Sequence, residues 1–149
     1  MMTQVKKGKN KQRGATLVEF SIAATVFLMA TFAVLEFGRA LWTHNALSDA
    51  ARRGARYAVL HTEGQIDDVK NVVVYGDPAG GTSPVVENLS TTNVDVDYTN
   101  FTLDGGTVQV TITDYQFNFV IPIVGTQIQM PKYTTTLTGE SAGTVPPVL

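Results

Sequence analysis

Apolar residues crowd the first part of the chain, and their rhythm then changes twice. From Ala15 to Leu35 the sequence runs for 21 residues with Glu19 as its sole charge. That is close to the roughly 20 apolar residues a helix needs to cross the hydrocarbon layer. From Glu36 to Leu60 the pattern loosens, and Phe37, Leu41, Leu47, Ala51, Ala55 and Val59 recur at three- or four-residue spacings with one six-residue gap. This is the stripe of an amphipathic helix. No proline or loop cluster separates the two stretches. The pattern predicts one continuous helix over residues 15–60, about 46 residues and roughly 69 Å long at 1.5 Å per residue. Its half over 15–35 would lie in lipid and its half over 36–60 outside.

Beyond the helix the punctuation becomes denser. Thr62 and Gln65 have capping-box spacing, and Ile66, Val69 and Val73 share a helical face, which predicts a short second helix ending near Gly76. Valines 72 to 74 leave a strand as the competing assignment. The run Gly76–Pro84 is a loop. After it the period becomes two: Val94, Val96 and Tyr98 alternate with polar residues, as do Val108, Val110 and Ile112, with Asp104-Gly105-Gly106 as a hairpin turn between them. Tyr115, Phe117, Phe119 and Ile121 continue the alternation in the opposite phase. A bulge or bend near Thr113 or Asp114 is therefore required, with Pro122 ending the strand. Tyr133–Thr138 adds a third strand, and the tail 143–149, with Pro146 and Pro147, is expected to fray. The expected fold class is α+β: a long N-terminal transmembrane and amphipathic helix, then a short helix and a small antiparallel sheet within residues 61–142.

Charge sharpens this division. Five of the eleven basic residues, Lys6, Lys7, Lys9, Lys11 and Arg13, lie in the first thirteen positions, while the segment from residue 61 onward carries ten acids against two bases. An acidic domain disfavours nucleic acid as a partner. The basic residues 1–14 form a leader that stays cytoplasmic by the positive-inside bias and places the later domain outside. A secretory signal is cut after its apolar run, whereas the candidate site here precedes it, so the helix stays with the protein.

Candidate chemistry is sparse. There is no cysteine, His44 and His61 stand seventeen residues apart without a ligand cluster, and neither a metal nor a cofactor is expected. Asp95, Asp97 and Asp104 lack the glycine and glutamate that an EF-hand loop needs. The sequons at Asn88 and Asn100 carry no assigned role. No nucleophile elbow or phosphate loop is present, so no catalytic residue is named. Asp49 with Arg52 and Arg53, and Glu36 with Arg39, have the spacing of ion pairs on a solvated helix face. Ala46, Ala50, Gly54 and Ala58 form a small-residue stripe that admits a close backbone. Its occupant is either a neighbouring subunit or the chain's own sheet, and a helix this long can serve both.

The most informative text is Arg13-Gly14-Ala15-Thr16-Leu17-Val18-Glu19-Phe20, a basic leader, a glycine and a membrane helix with one acid five residues on. It resembles a class III prepilin signal, and specifically the RGA-x-x-VEF opening of the TadE family of pseudopilins from tight-adherence (Flp) pilus systems. The run from Glu36 to Trp42 (EFGRALW) and the run from Asn45 to Ala58 (NALSDAARRGARYA) are similar to the same family, and weaker likeness extends to Glu140. Ala15 departs from ordinary type IV pilins, which start their mature chain with an aromatic residue or methionine.

The resemblance implies a non-enzymatic minor pilin or pseudopilin in a bacterial inner membrane, processed between Gly14 and Ala15 by a TadV-like prepilin peptidase. Its implied partners are the major Flp pilin, other pseudopilins, the inner-membrane assembly platform and membrane lipid. Glu19 would cost roughly 2.5 to 3.5 kcal/mol in mid-bilayer. The α-amine that cleavage creates on a neighbour's Ala15 would offset this, the alternative being Glu19's own helix N-terminus. The rival reading is a membrane-anchored extracytoplasmic binding module that is neither processed nor assembled.

Overall fold

A computed structural model describes residues 10–102, 105–121 and 126–142. Most of the leader, Asp104, Pro122 and the tail 143–149 lie outside these residues. The first element, α1, is a helix over Asn10–Val59, 50 residues without interruption, or about 75 Å of helix. It starts earlier than the apolar pattern, because polar residues on the leader side continue the same hydrogen-bond ladder. A 3-10 turn at Glu63–Gln65 leads into helix α2, Ile66–Tyr75. Helix therefore prevails over strand for valines 72 to 74.

The capping box at Thr62 does not form. Thr62 makes no side-chain cap, and its carbonyl instead accepts from the Gln65 amide at 2.9 Å. The intervening 3-10 turn puts Gln65 at the N-cap of α2 rather than three positions inside it. Gly76 ends α2 with φ +78° and donates its amide to the Val72 carbonyl, a left-handed cap that glycine adopts without Cβ strain.

Strands β1 (Val94–Thr102), β2 (Gly105–Ile112) and β5 (Tyr133–Thr138) form an antiparallel sheet in the order β1-β2-β5. The β1–β2 pairing sets Val96 opposite Val110 and Tyr98 opposite Val108, and its register shifts between Thr99 and Thr102. The phase change at Asp114 is larger than a bulge. Asp114 takes φ +55°, and the chain leaves the first sheet to form β3 (Gln116–Asn118), which pairs with β4 (Gln127–Gln129) as a separate two-stranded hairpin. The alternation of aromatic residues had suggested a longer strand through Ile121. Among the described residues its pairing runs from Tyr115, whose carbonyl accepts from the Met130 amide, to Phe119, whose amide donates to the Thr126 carbonyl.

Valines 94, 108 and 110, Ile112 and Tyr133 form the inner face of the sheet. They bury against Leu47, Ala50, Ala51, Ala55 and Ala58 of α1, with Val69, Val73 and Val74 of α2 closing the core. Asp95 and Asp97 are exposed and face Thr111 and Gln109 across the outer side of the sheet, so they give the domain a solvated acidic face. Gln109 donates to the Thr136 hydroxyl, and Thr111 and Thr134 share a hydrogen bond on that side.

Candidate functional site

Among the described residues, the lower part of α1 is left largely uncovered. Leu17, Phe20, Phe27, Val34 and their neighbours are exposed, and one candidate membrane span lies within Gly14–Val59, with a mean hydropathy of 2.0 in its most apolar window. The hydroxyls of Ser21, Thr25 and Thr31 donate to the carbonyls of Leu17, Ser21 and Phe27 at 2.7 to 2.9 Å. These side chains therefore bring no unsatisfied group into an apolar solvent. Gly14 and Ala15 sit within the helix, exposed, and no heavy atom outside the local helix lies within 4 Å of the place a Gly14 side chain would take. Glu19 is exposed one turn further on, without a hydrogen bond or ion pair to another described residue.

Higher up, the small-residue stripe is occupied. Ala50 and Ala58 are fully buried. Gly54 is buried too, and a Cβ added there would collide with the Val73 side chain and press on Val110. Ala46 is half-buried at the rim. The close approach that the stripe permits is thus made by the chain's own α2 and β2, and at Ala50, Gly54 and Ala58 no surface is left for a neighbour. The stripe and the Gly14–Glu19 segment are not brought together, since α1 runs without interruption between Glu19 and Ala46.

The middle of α1 departs from the solvated face expected for Glu36 and Arg39. Glu36 has a side chain only 10% exposed and receives the Arg39 guanidinium at 2.8 Å, while Arg39 lies 5.2 Å over the Phe117 ring. Glu36 is covered because it is in helical register with Thr43, Leu47 and Ala50, the buried stripe continued downward. That register was visible in the sequence, but the charge masked it. Asp49–Arg52, by contrast, is an exposed pair at 3.2 Å.

Arg53 has Nε and Nη2 buried with no hydrogen-bond partner among the described residues, beside Arg52 and Arg56. Both histidines are engaged structurally. His44 Nδ1 is 2.8 Å from the Tyr133 hydroxyl, and His61 stacks on Tyr57 with its Nδ1 at 2.7 Å from the Tyr57 carbonyl. The described residues hold no group of three His, Asp or Glu side chains able to share a metal.

Three tyrosines are tied to other parts of the domain, Tyr98 and Tyr133 to α1 and Tyr115 to the loop before β1. Tyr98 donates to the Ala58 carbonyl and Tyr115 to the Glu87 carbonyl. Burial raises the pKa of Tyr98, Tyr115 and Tyr133 above the usual tyrosine value, with Glu63 adding to the first and Glu87 to the second.

Compared with known proteins, residues 14–56 match the family described as TadE-like protein. The matched segment is α1 from its first glycine to the arginine cluster, and it does not reach the sheet. No curated protein and no solved structure matches the chain.

Proposed function

We propose that the chain is a TadE-like minor pilin or pseudopilin, a non-enzymatic subunit that helps to assemble a Tad/Flp-type adhesive pilus from a bacterial inner membrane. The carrying observation is one uninterrupted helix that is bare and apolar below Glu36 and covered by a small domain above it. The family match over this same helix supports the reading. The bare half is the part that can lie in lipid or against other pilin helices. The domain, with ten acids and two bases, remains outside.

The leader holds Gly14 at the cytoplasmic face, where a TadV-like prepilin peptidase cuts before Ala15. The helix must open locally for that cut, and glycine lowers the cost of opening by about 1 kcal/mol relative to alanine. Cleavage leaves an α-amine on Ala15, charged below about pH 7.7 to 8.0. Glu19 of an adjacent subunit is a partner for it, which sets the axial register of subunits joining the major Flp pilin and other pseudopilins on the assembly platform.

The intact mass of the membrane-extracted chain, made in cells with an active prepilin peptidase, tests the reading. A chain starting at Ala15 is expected. A chain still starting at Met1 or Met2 overturns the proposal in favour of a plain anchored module.

A further inference from the structure

Where α1 leaves its apolar half, a groove of about 280 Å³ opens between the helix and the β3–β4 hairpin, walled by Ala33 and Phe37 on one side and Phe119, Ile121, Ile128 and Met130 on the other. We infer that this hairpin is a second membrane contact: it rests on the outer surface of the bilayer beside the helix, and lipid acyl chains fill the groove. The inference rests on the reading that Ala15–Leu35 spans the membrane.

Depth is the first argument. Ala33 and Phe37 lie two residues either side of Leu35, hence within about 3 Å of the expected edge of the hydrocarbon layer at 1.5 Å rise per residue. Hairpin residues that share a groove with them lie at that level. Contacts along the helix run in order, with Phe117 over Arg39, Tyr133 at His44 and Val110 by Gly54. The strands of the two sheets therefore descend toward the membrane in turn, and Val120 and Ile121 follow β3 past Phe117.

Charge is the second argument. The domain is strongly acidic, yet from Tyr115 to Met130 the sequence has no charged residue. The groove's acid, Glu36, is covered and joined to Arg39, so no free charge faces an acyl chain. The next charge after the hairpin is Lys132, exposed and of the sign that suits anionic headgroups.

Exposure is the third. Val120 is 71% and Ile128 50% exposed, which in water would leave an apolar patch contiguous with the bare helix. Resting at the headgroup and acyl boundary would remove that patch from water.

The absence of cysteine makes the test clean. Single-cysteine variants of the full chain, Val120→Cys, Ile128→Cys, Phe27→Cys and Asp95→Cys, are labelled with an environment-sensitive fluorophore. Each is placed as a single chain per nanodisc of phosphatidylethanolamine and phosphatidylglycerol, with and without nitroxide-bearing acyl chains. The expected result is loss of emission at 120 and 128 comparable with that at 27, and none at 95. Quenching at 27 with labels at 120 and 128 as wet as at 95 overturns the inference alone. No quenching at 27 overturns the spanning helix and the inference with it. Protection at 120 and 128 that appears only with a second copy in the disc assigns the groove to protein and also overturns the inference.

Discussion

The two halves of α1 share a backbone and a ladder of hydrogen bonds but have opposite surroundings. Below Glu36 large apolar side chains such as Leu17, Phe20, Phe27 and Val34 are bare; above it one face, Leu47 with Ala50, Ala51, Ala55 and Ala58, is covered by the domain, while Phe37 and Leu41 of the predicted stripe, and Trp42, stay exposed. Lipid requires only that backbone and hydroxyl groups be satisfied within the helix, and Ser21, Thr25 and Thr31 meet that requirement locally. A sheet packed on the helix requires shape, and alanines with one glycine let α2 and β2 approach closely. The same helix can be permissive in sequence at one end and stringent at the other.

Paired substitutions test this contrast most directly with leucine. Leu47 is 0% and Leu28 50% exposed. Leu47→Ala should destabilise the domain by about 2 to 5 kcal/mol, whereas Leu28→Ala should stay within about 0.5 kcal/mol. Chemical unfolding of the detergent-solubilised chain, followed by tyrosine near-ultraviolet circular dichroism, reads both. Equal losses would mean that the halves are not energetically distinct.

Glycine gives the next pair. Gly54→Ala drives a methyl into Val73, an overpacking cost of about 1 to 3 kcal/mol that the helix propensity of alanine offsets only by about 1. At Gly38 nothing lies within 4 Å of the added Cβ, so Gly38→Ala should raise helix stability by about 1 kcal/mol. Opposite signs in the thermal midpoints are expected; a stabilising Gly54→Ala would show that α2 can shift away.

The acids supply a third pair with a split readout. Glu36→Gln weakens a largely covered bond to Arg39 and should cost the domain on the order of 1 kcal/mol. Glu19→Gln should leave domain unfolding, insertion and processing unchanged while lowering co-purification with pilins and filament yield. Normal filaments from Glu19→Gln would remove its intersubunit role.

The smallest effect concerns pH and is confined to the covered half. Tyr98, Tyr115 and Tyr133 have pKa values raised by burial. A raised folded-state value means that their contribution is fully present below the unfolded tyrosine pKa of about 10 and is lost as pH rises through the folded value. Unfolding midpoints should therefore show no tyrosine-linked change between neutral pH and about pH 9, then fall above about pH 10. The triple variant Tyr98→Phe, Tyr115→Phe and Tyr133→Phe should lose that alkaline fall.

Much of this architecture is local and was legible for that reason. The apolar run 15–35, the three- and four-residue spacing beyond it, the stop at Gly76 and the alternation in β1, β2 and β5 each depend on neighbours within a few residues, where period and turn chemistry decide. Gly14 and Glu19 lie in the stretch that matches the TadE-like family. Tertiary structure decided the rest. Asp114 turned a change of phase into a change of sheet, and β4 is too short and polar to announce itself. The 3-10 turn displaced the cap expected at Thr62. The stripe at Ala50, Gly54 and Ala58 is equally fit for a neighbour or for the chain's own sheet, and only the placement of Val73 and Val110 fills it from within. Glu36 and Arg39 pair at a local spacing, but the surroundings of the pair include the Phe117 ring beneath the Arg39 guanidinium. That outcome depends on residues eighty positions away, which no local pattern encodes.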